Sequence, residues 1–467
     1  MTVKTRVINY SDRLKIVDFQ SAIHFLYHNL TDTRSRLFNA NIGLQRTHTL
    51  LKELGNPQEN YPSIHIAGTS GKGSTAYMTS TLLTIHNKNT GTVTSPHVYD
   101  IRERLMLNNA FISENEFTQL VTDLFNPIIK LQQSDFGRPT YFEVMIGLAH
   151  RCFANHNIDY GVIETGIGGK FDSTNTINRE DKLAVITRLG FDHTEILGDS
   201  ISKIAEQKAG IIPINGHAIA LLPDDKSAQV AIESEASKKN ATLQFIDPKK
   251  SILNLQQTIN GIIFDYLSDN ITINNIFIPI LGKYQAENAC LAIATLEFLS
   301  KRDNFRLDYQ KIRKGFMNAK IPARAEIMRI NNTPVIIDSA HNPQKLEALF
   351  GLITSLKLPI KPLVVFSVKS TKDWQSSTSI VSKHSAKVFA TRFFDNQPNH
   401  LQKLSTNPED IAQQIITSGG DVTICNNPIS ALDMAFKESR PNQTILITGS
   451  MYMLSDLHDH IIKLSSR

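Results

Sequence analysis

The sequence has few cysteines, and it lacks the cysteine patterns of several protein classes. Only three cysteines occur in 467 residues, Cys152, Cys290 and Cys425, and no two of them have C-x-x-C spacing. An odd, scattered set of this kind excludes a disulfide framework and a cysteine metal site, and it indicates a reducing compartment, the cytoplasm. Residues 1–15 also lack the apolar core that a secretory signal requires.

Long apolar runs and concentrated charge are missing as well. Stretches such as 362–368 fall far short of the roughly 18 apolar residues that span a bilayer. The net charge is only +5 and is not gathered into basic runs, so the footprint of a nucleic-acid-binding surface is absent. We therefore expect neither a membrane nor a nucleic acid as partner. With 41% hydrophobic and 20% charged residues, the composition is that of a globular protein.

The chain does contain a long alternation of apolar, strand-like runs with helical segments. Between residues 63 and 190 this alternation predicts an α/β domain with a mostly parallel sheet. Residues 260–281 predict a small antiparallel hairpin added to that domain. The proline-containing stretch 320–326 is the predicted hinge. We therefore expect a first domain at 1–320 and a second at 321–467.

The second domain repeats the alternation on a smaller scale. About five apolar strands, each followed by a helical segment, predict a compact Rossmann-like domain. No G-x-G-x-x-G motif occurs there, so the fold alone gives this domain no dinucleotide.

The clearest local motif is a glycine-rich turn between a predicted strand and a predicted helix. It consists of Gly68, Thr69, Ser70, Gly71, Lys72, Gly73 and Ser74. In such a loop, glycines let backbone N–H groups approach phosphate oxygens, and a lysine neutralises phosphate charge. The spacing departs from the general G-x-x-x-x-G-K-[ST] because Gly73 separates Lys72 from Ser74. A purely structural turn is the alternative to a phosphate-binding loop.

This loop resembles the phosphate loop of the Mur ligase superfamily, and more narrowly that of folylpolyglutamate synthases and dihydrofolate synthases. Further segments resemble the same family in the same order along most of the chain. They are IGLQRTHTLLKELGNPQENYPSIHIAGTSGKGS (42–74), TSPHVYDIRERL (94–105), PTYFE (139–143), VIETGIGGKFDSTN (162–175), GFDHTEILGDSISKIAEQKAGII (190–212), LGKYQAENACLAI (281–293), IPARAE (321–326), IIDSAHNP (336–343) and ITGSMYML (447–454).

The resemblance implies a two-domain ligase with ATP, L-glutamate and a folate or dihydropteroate as substrates, acting through an acyl phosphate. It implies two Mg²⁺ ions, and we expect a monomer. Two alternatives stay open. Another amino-acid ligase of the Mur superfamily would need a UDP-binding domain, for which little room precedes the loop at 68–74. A phosphate-loop nucleotide-binding protein without ligase activity would not need a catalytic set on a second domain.

The residues themselves support a metal site. Glu164 and His193 follow two predicted strands, and ligands of open α/β sheets bind at the carboxyl ends of strands. A carboxylate, an imidazole and hydroxyl groups beside phosphates suit Mg²⁺. The resemblance implies that Ser95, Glu164 and His193 bind it. For each residue alone, a packed core histidine or a surface carboxylate is the alternative.

The same resemblance assigns the remaining ATP-binding and catalytic residues. Lys208, in a helix predicted to begin near Ser200, would be carbamylated and would support the second metal ion, whereas a solvated helix lysine is the alternative. Asn288 would contact adenine and Arg324 the terminal phosphate, and Asp338 and His341 would be contributed by the second domain. The loop residues with Asn288, Arg324 and Asp338 are the predicted ATP site, and Lys72, Lys208, Arg324 and His341 are the predicted catalytic residues.

The resemblance also implies a pterin-binding set. Its members are Asn41, Ile42, Gly43, Leu44, Thr140, Phe171, Asp172 and Ser173. Two of them depart from common choices in the family, because Asn41 is Asp in some members and Phe171 is bulkier than the usual Leu. A third departure lies near the hinge, where Ala323 is Gly in many members.

Overall fold

The computed structural model describes residues 8–30, 40–319, 321–394 and 404–465. The strands are β1 (Ser63–Ala67), β2 (Thr90–Val93), β3 (Met106–Leu107), β4 (Ala110–Phe111), β5 (Tyr160–Glu164), β6 (Leu183–Ile186), β7 (His217–Leu221), β8 (Thr242–Ile246), β9 (Ile252–Thr258), β10 (Gly261–Leu267), β11 (Thr272–Ile278), β12 (Glu326–Ile330), β13 (Thr333–Ile337), β14 (Leu363–Phe366), β15 (Lys387–Ala390), β16 (Val422–Ile424) and β17 (Ile445–Thr448).

Helices separate most of these strands. They are α1 (Phe19–His28), α2 (Ala40–Glu53), α3 (Lys72–Ile85), α4 (Glu114–Gln133), α5 (Tyr141–Asn155), α6 (Thr194–Leu197), α7 (Ile201–Ala209), α8 (Lys226–Lys238), α9 (Pro248–Ser251), α10 (Tyr284–Arg302), α11 (Tyr309–Met317), α12 (Pro343–Ser355), α13 (Trp374–His384), α14 (Pro408–Thr417), α15 (Pro428–Glu438) and α16 (Met451–Ser465). Short 3-10 helices cover Tyr10–Lys15, Pro57–Glu59 and Ile101–Arg104.

The first sheet has eight strands in the order β4-β3-β2-β5-β1-β6-β7-β8. The six strands from β2 to β8 run parallel, and β3 and β4 add an antiparallel edge. Every residue of β1, β5 and β6 is buried, as expected for parallel strands covered on both faces. Ile64 and Ile66 pack with α3 and α10, whereas Val93 and Ile163 pack with α4 and α5. The predicted mostly parallel α/β sheet is confirmed.

The small antiparallel unit is larger than predicted. Strands β10 and β11 form the hairpin expected at 260–281, and β9 pairs with the other edge of β10 to make a three-stranded sheet. The sequence of β9, ILNLQQT, is mostly polar and largely exposed, so its apolar signal is too weak to mark a strand.

The second sheet follows the order β12-β13-β17-β14-β15-β16. The five strands after β12 are parallel, as predicted, and β12 pairs antiparallel with β13 at the edge. Neighbouring residues of β13 alternate between two cores, since Ile336 belongs to one cluster and Val335 and Ile337 to the other. Strand β12 begins at Glu326, inside the stretch read as the hinge. The boundary at 320/321 lies between α11 and β12, where residue 320 is outside the described ranges, and it stays a prediction.

Two expectations about the whole chain can be compared with the described residues. Cys152, Cys290 and Cys425 are buried free thiols, which agrees with the absence of a disulfide framework. Within the parts of the chain that the structure describes, none of the helices combines the length and apolar character needed to cross a membrane.

Candidate active site

The glycine-rich turn lies where the sequence places it, between the end of β1 and the start of α3. Gly71 has a φ of 87°, a left-handed conformation that favours glycine. A side chain at Gly71 would collide with the Asn288 amide, and one at Gly68 would collide with the Thr187 hydroxyl. The close approach of these neighbours requires glycine at both positions. The strand–turn–helix context of a phosphate loop is therefore present.

Hydrogen bonds to the chain after β6 hold the loop in place. The N–H groups of Thr69 and Ser70 both donate to the carbonyl of Arg188, at 3.0 and 3.2 Å, and the Thr69 hydroxyl donates to the carbonyl of Gly190 at 2.9 Å. The loop backbone is therefore fixed before any ligand binds, which lowers the entropic cost of binding phosphate.

Two lysines converge on one carbonyl at the start of this loop. Lys72 Nζ donates to the Gly68 oxygen at 3.1 Å, and Lys208 Nζ donates to the same oxygen at 2.8 Å. Lys208 is only 3% exposed, near the end of α7, whose N-cap is Ser200 as predicted. Burial and the neighbouring Lys72 charge lower the pKa of Lys208 to about 7. A solvated helix lysine is thereby excluded.

Asn288 lies in α10, directly over the loop. Its side-chain Nδ2 donates to Gln285 Oε1 at 2.9 Å, and its Oδ1 lies against Gly71. The predicted place of Asn288 beside the phosphate loop agrees with the structure, and its contact with adenine stays a prediction.

Glu164 ends β5 and is a buried carboxylate beside the loop. Its Oε2 accepts the Ser95 N–H at 2.9 Å, and a side chain at Gly73 would lie 3.4 Å from that oxygen. Burial raises the pKa of Glu164, while Lys72, the Ser95 N–H and Arg324 act in the opposite direction. A buried carboxylate beside a phosphate loop is the hard oxygen ligand that Mg²⁺ prefers. Glu164 therefore fits a magnesium site, and the role of the Ser95 hydroxyl as a second ligand stays a prediction.

His193 is less closely tied to that pair. It has a left-handed φ of 49° just before α6, and its side chain is 42% exposed. Its imidazole lies 3.8 Å from the carboxylates of Asp192 and Glu195. The structure brings Ser95 and Glu164 together, and the role of His193 as a third ligand stays a prediction.

A group of three metal-ligating side chains does occur elsewhere in the described residues, outside the predicted set. Glu116 of α4, Cys152 of α5 and His156, directly after α5, have ligand atoms within 4.8 Å of one another. His156 Nε2 lies 2.6 Å from Glu116 Oε1, and burial raises the pKa of the Cys152 thiol above its ordinary value. This group is a histidine–carboxylate hydrogen bond beside a buried thiol.

The second sheet contributes a matching polar set. Asp338, directly after β13, accepts N–H bonds from Ala325 at 2.8 Å and Ala340 at 2.7 Å, one on each carboxylate oxygen. Ala323 and Ala325 have φ values of 51° and 48°, left-handed conformations that cost about 1–3 kcal/mol each outside glycine. The strained turn and its bond to Asp338 fix the backbone on both sides of Arg324.

His341 follows in the same loop. Its Nδ1 lies 2.8 Å from the Ser339 carbonyl, and because a carbonyl only accepts, Nδ1 carries the proton and Nε2 keeps a lone pair. Burial, with Lys345 nearby, lowers the pKa of His341 to about 4. His341 is therefore a neutral imidazole at pH 7. The sequence reasoning missed Lys345, which lies beyond the matched motif.

Arg324 and Lys72 both act on the Glu164 carboxylate, although one comes from the second sheet and the other from the phosphate loop. Arg324 Nη1 also donates to the Ser339 hydroxyl at 2.7 Å. The predicted phosphate-facing cations from the two halves of the chain are thus both near enough to this carboxylate to favour its charged form.

A cavity of about 510 Å³ opens beside this cluster. Five of the predicted pterin-binding residues line it: Gly43, Thr140, Phe171, Asp172 and Ser173. Ser95 and Arg104 line it too. The other three predicted residues, Asn41, Ile42 and Leu44, share helix α2 with Gly43, but none of them belongs to the lining formed by the described residues.

The sequence reasoning also missed a buried ion pair in the cavity wall. Arg46 binds Glu143 in a bidentate arrangement with two N–O distances of 2.6 Å, and both side chains are buried. Glu143 is also the N3 residue of a capping box with Thr140. The spacing T-x-x-E before an apolar helix could have identified the box. Thr140 is thus the N-cap of α5 as well as part of the cavity.

Comparisons with known proteins agree with this geometry. Residues 66–296 match the Mur ligase middle domain, and residues 323–451 match the Mur ligase, glutamate ligase domain. A dihydrofolate synthase/folylpolyglutamate synthase of Bacillus subtilis is 32% identical over 91% of this chain and 96% of its own length. A folylpolyglutamate synthase of Lacticaseibacillus casei is 32% identical over 90% and 94%, respectively.

Solved structures agree as well. The Mycobacterium tuberculosis folylpolyglutamate synthase complexed with ADP has a TM-score of 0.79 at 28% identity and covers 96% of this chain and 98% of its own. The fold and site therefore define an ATP-dependent ligase of the Mur type. More narrowly, the chain belongs to the folylpolyglutamate synthase/dihydrofolate synthase family, whose enzymes attach glutamate to folates. The resemblance stated from the sequence is confirmed.

Proposed function

We propose that this ligase activates the carboxylate of a folate-type substrate with MgATP and then joins it to the amine of L-glutamate. One residue carries the proposal: Ser95 lines the cavity, and its N–H binds Glu164 beside the phosphate loop. A substrate whose pterin end fills the cavity would therefore have its carboxylate near the terminal phosphate of ATP. Such proximity supplies much of the rate in reactions of this kind.

The reaction has two steps. A carboxylate oxygen forms a bond to the γ-phosphorus, and the bond from that phosphorus to ADP breaks, which gives an acyl phosphate. The amine nitrogen of glutamate then bonds to the acyl carbon, the carbon–oxygen bond to phosphate breaks, and the amine releases a proton. Lys72 and Arg324 would stabilise the charge on the transferring phosphoryl group.

His341 would act in the second step. Its neutral imidazole keeps a lone pair on Nε2, since Nδ1 donates to the Ser339 carbonyl. A lone pair of this kind can accept a hydrogen bond from the incoming amine and orient it toward the acyl carbon. Because the pKa of His341 is about 4, its imidazole is a weak base at neutral pH. We therefore assign it the orientation of the amine and not the removal of the amine proton.

Glu164, Ser95 and His193 would hold magnesium. When bound, the metal supplies neutralisation and orientation of the phosphates. Lys208 would support a second ion as a carbamate, formed when its amine nitrogen bonds to CO₂ and loses a proton. Support comes from its burial and its pKa of about 7, because a substantial fraction of the amine is then uncharged near neutral pH.

Further parts of the proposal concern the substrate and the state of the protein. Either a reduced folate or dihydropteroate suits a cavity lined by Thr140, Phe171 and Asp172. Asn41, Ile42 and Leu44 would act from α2 by placing Gly43. The two units, at 1–320 and 321–467, would close on the nucleotide. Asn288 would contact adenine, and Asp338 would hold the turn that contains Arg324. We further propose a monomer in the cytoplasm.

The test is incubation of the full chain with MgATP and glutamate, offering dihydropteroate and tetrahydrofolate in separate reactions. We expect ADP formation only when glutamate and one pteridine substrate are both present, with a product heavier by one glutamyl residue on mass analysis. ADP formation that needs neither would support a nucleotide-binding protein without ligase activity. Activity only with a nucleotide-linked muramoyl peptide in place of the pteridine substrate would favour another Mur-type ligase.

A further inference from the structure

The connecting segment, residues 95–104, joins two parts of the site. At its first residue, the Ser95 N–H binds Glu164. At its last, Arg104 lines the cavity, and its guanidinium lies 5.2 Å from the centre of the Tyr141 ring. The two ends of the connecting segment are therefore fixed, one at the buried carboxylate and the other at the cavity.

Hydrogen bonds make the bend of this segment rigid. The buried Glu103 carboxylate accepts three backbone N–H groups, from Val98 at 2.8 Å, Tyr99 at 2.7 Å and Asp100 at 3.0 Å. Such charge-assisted bonds are the strong ones in proteins. Because the bend is rigid, a displacement of Tyr99 would also displace the two ends of the segment, Ser95 and Arg104.

The tip of the bend leaves the first sheet and packs on the second half of the chain. Val98 and Tyr99 pack against a hydrophobic cluster formed by the second sheet and α16. There the Tyr99 ring stacks on His458 of α16, with centroids 4.1 Å apart and planes 18° apart. This contact connects the helix after β17 to the segment that begins at Ser95.

We infer that Tyr99 and His458 are positioning residues, whose stacked rings set the second sheet's Arg324 and His341 against the phosphate loop during ligation. The inference rests on the proposed ligase function. Without the stack, MgATP would still bind the loop, but the acyl phosphate would be less well enclosed. Water oxygen would then bond to the acyl carbon while the carbon–oxygen bond to phosphate breaks, so that the carboxylate and phosphate are released without glutamate transfer.

The test compares Tyr99→Ala and His458→Ala with the unsubstituted chain. We expect kcat for glutamate ligation to fall about three- to tenfold, the range that an aromatic pair supports. The ADP formed per glutamylated product should rise above one, with an unchanged Kd for MgATP. Tyr99→Phe keeps the ring and should restore the ratio. The double alanine variant should be no worse than the poorer single variant, because both substitutions remove the same contact.

His384→Ala is the matched control. His384 stacks on Phe350 within the second sheet's helices, with centroids 5.1 Å and planes 17° apart. Its loss removes the same kind of ring without touching the connecting segment, so the ratio should stay at one. Thermal unfolding of each variant separates a positioning effect from a loss of fold.

Three outcomes would overturn the inference: Tyr99→Ala with one ADP per product, Tyr99→Phe as impaired as the alanine variant, or additive losses in the double variant. These three outcomes can be measured only if the unsubstituted chain ligates glutamate. An unsubstituted chain that makes no glutamylated product would instead overturn the proposed function, and this inference with it.

Discussion

Two buried carboxylates occupy corresponding places in the two sheets. Glu164 ends β5 of the first sheet, and Asp338 directly follows β13 of the second. Burial raises the pKa of both. Their hydrogen bonds differ, because Asp338 accepts a backbone N–H on each oxygen, whereas the bond from the Ser95 N–H uses one oxygen of Glu164.

This difference assigns two functions to one chemical group. Asp338 fastens the strained turn around Arg324 to its own sheet, so its oxygens are committed to the backbone. Glu164 lies beside the phosphate loop at Gly73, where Lys72 and Arg324 favour its charged form and an added cation would further relieve the cost of a buried charge. The comparison therefore separates a carboxylate suited to a metal ion from one that positions an arginine.

The largest expected effect comes from Glu164→Gln. We expect glutamate-dependent ADP formation to fall about a thousandfold, the upper end for loss of one charge-stabilising group. The amide oxygen can still accept the Ser95 N–H, so the fold should persist. Activity as a function of Mg²⁺ concentration measures the loss, and an active variant at ordinary magnesium would remove Glu164 from the metal site.

The stability of the same variant sharpens the comparison. Since the folded pKa of Glu164 is raised, its contribution to stability is complete below the unfolded pKa and is lost as pH rises through the folded pKa. Without metal or nucleotide at neutral pH, Glu164→Gln should therefore be at least as stable as the unsubstituted chain. Thermal unfolding across pH checks this sign.

Arg324→Ala tests the cation that Asp338 positions. We expect kcat to fall about a hundredfold, because the guanidinium acts on the charge that develops during phosphoryl transfer. The Kd for MgATP should change much less, since the phosphate loop and Lys72 remain. Calorimetric titration beside steady-state kinetics separates the two quantities, and equal losses would make Arg324 an ordinary ground-state contact.

Lys208→Ala tests the proposed carbamate on the buried lysine beside the phosphate loop. We expect a loss of about ten- to a hundredfold, the range for groups that support metal ligands, with partial recovery in acetate. In the unsubstituted chain prepared without CO₂, bicarbonate should restore activity. Because only the neutral amine reacts, the rate of recovery at a constant concentration of dissolved CO₂ should rise with pH through about 7, the pKa of Lys208. Full activity of Lys208→Ala would exclude the carbamate.

The parts of the structure that could be predicted from the sequence are those determined by residues close together in the chain. The phosphate loop and the buried strands beside it have strong short-range patterns, and the structure contains them where predicted. Lys208 could not be recognised as buried from its own helix, since the carbonyl it binds belongs to Gly68, 140 positions earlier. The ion pair of Arg46 and Glu143 likewise joins residues 97 positions apart. Strand β12 was missed because the pattern of the hinge obscures its start.

The smallest expected effect, and the sharpest form of the comparison, comes from Asp338→Asn. An amide has one accepting oxygen, so either the Ala325 or the Ala340 N–H must face the amide NH₂ group and lose its partner. A buried donor left unsatisfied costs about 1–3 kcal/mol, and we expect this cost to exceed the gain from removing the buried charge of Asp338. We therefore expect a lower melting temperature, whereas Glu164→Gln should not lower it. We also expect a few-fold loss of kcat, because the turn that contains Arg324 loosens, and an unchanged Kd for MgATP. Paired thermal unfolding and kinetics of the two amide variants measure this contrast. If both variants shifted stability in the same direction, the two carboxylates would not differ in function as their hydrogen bonds indicate.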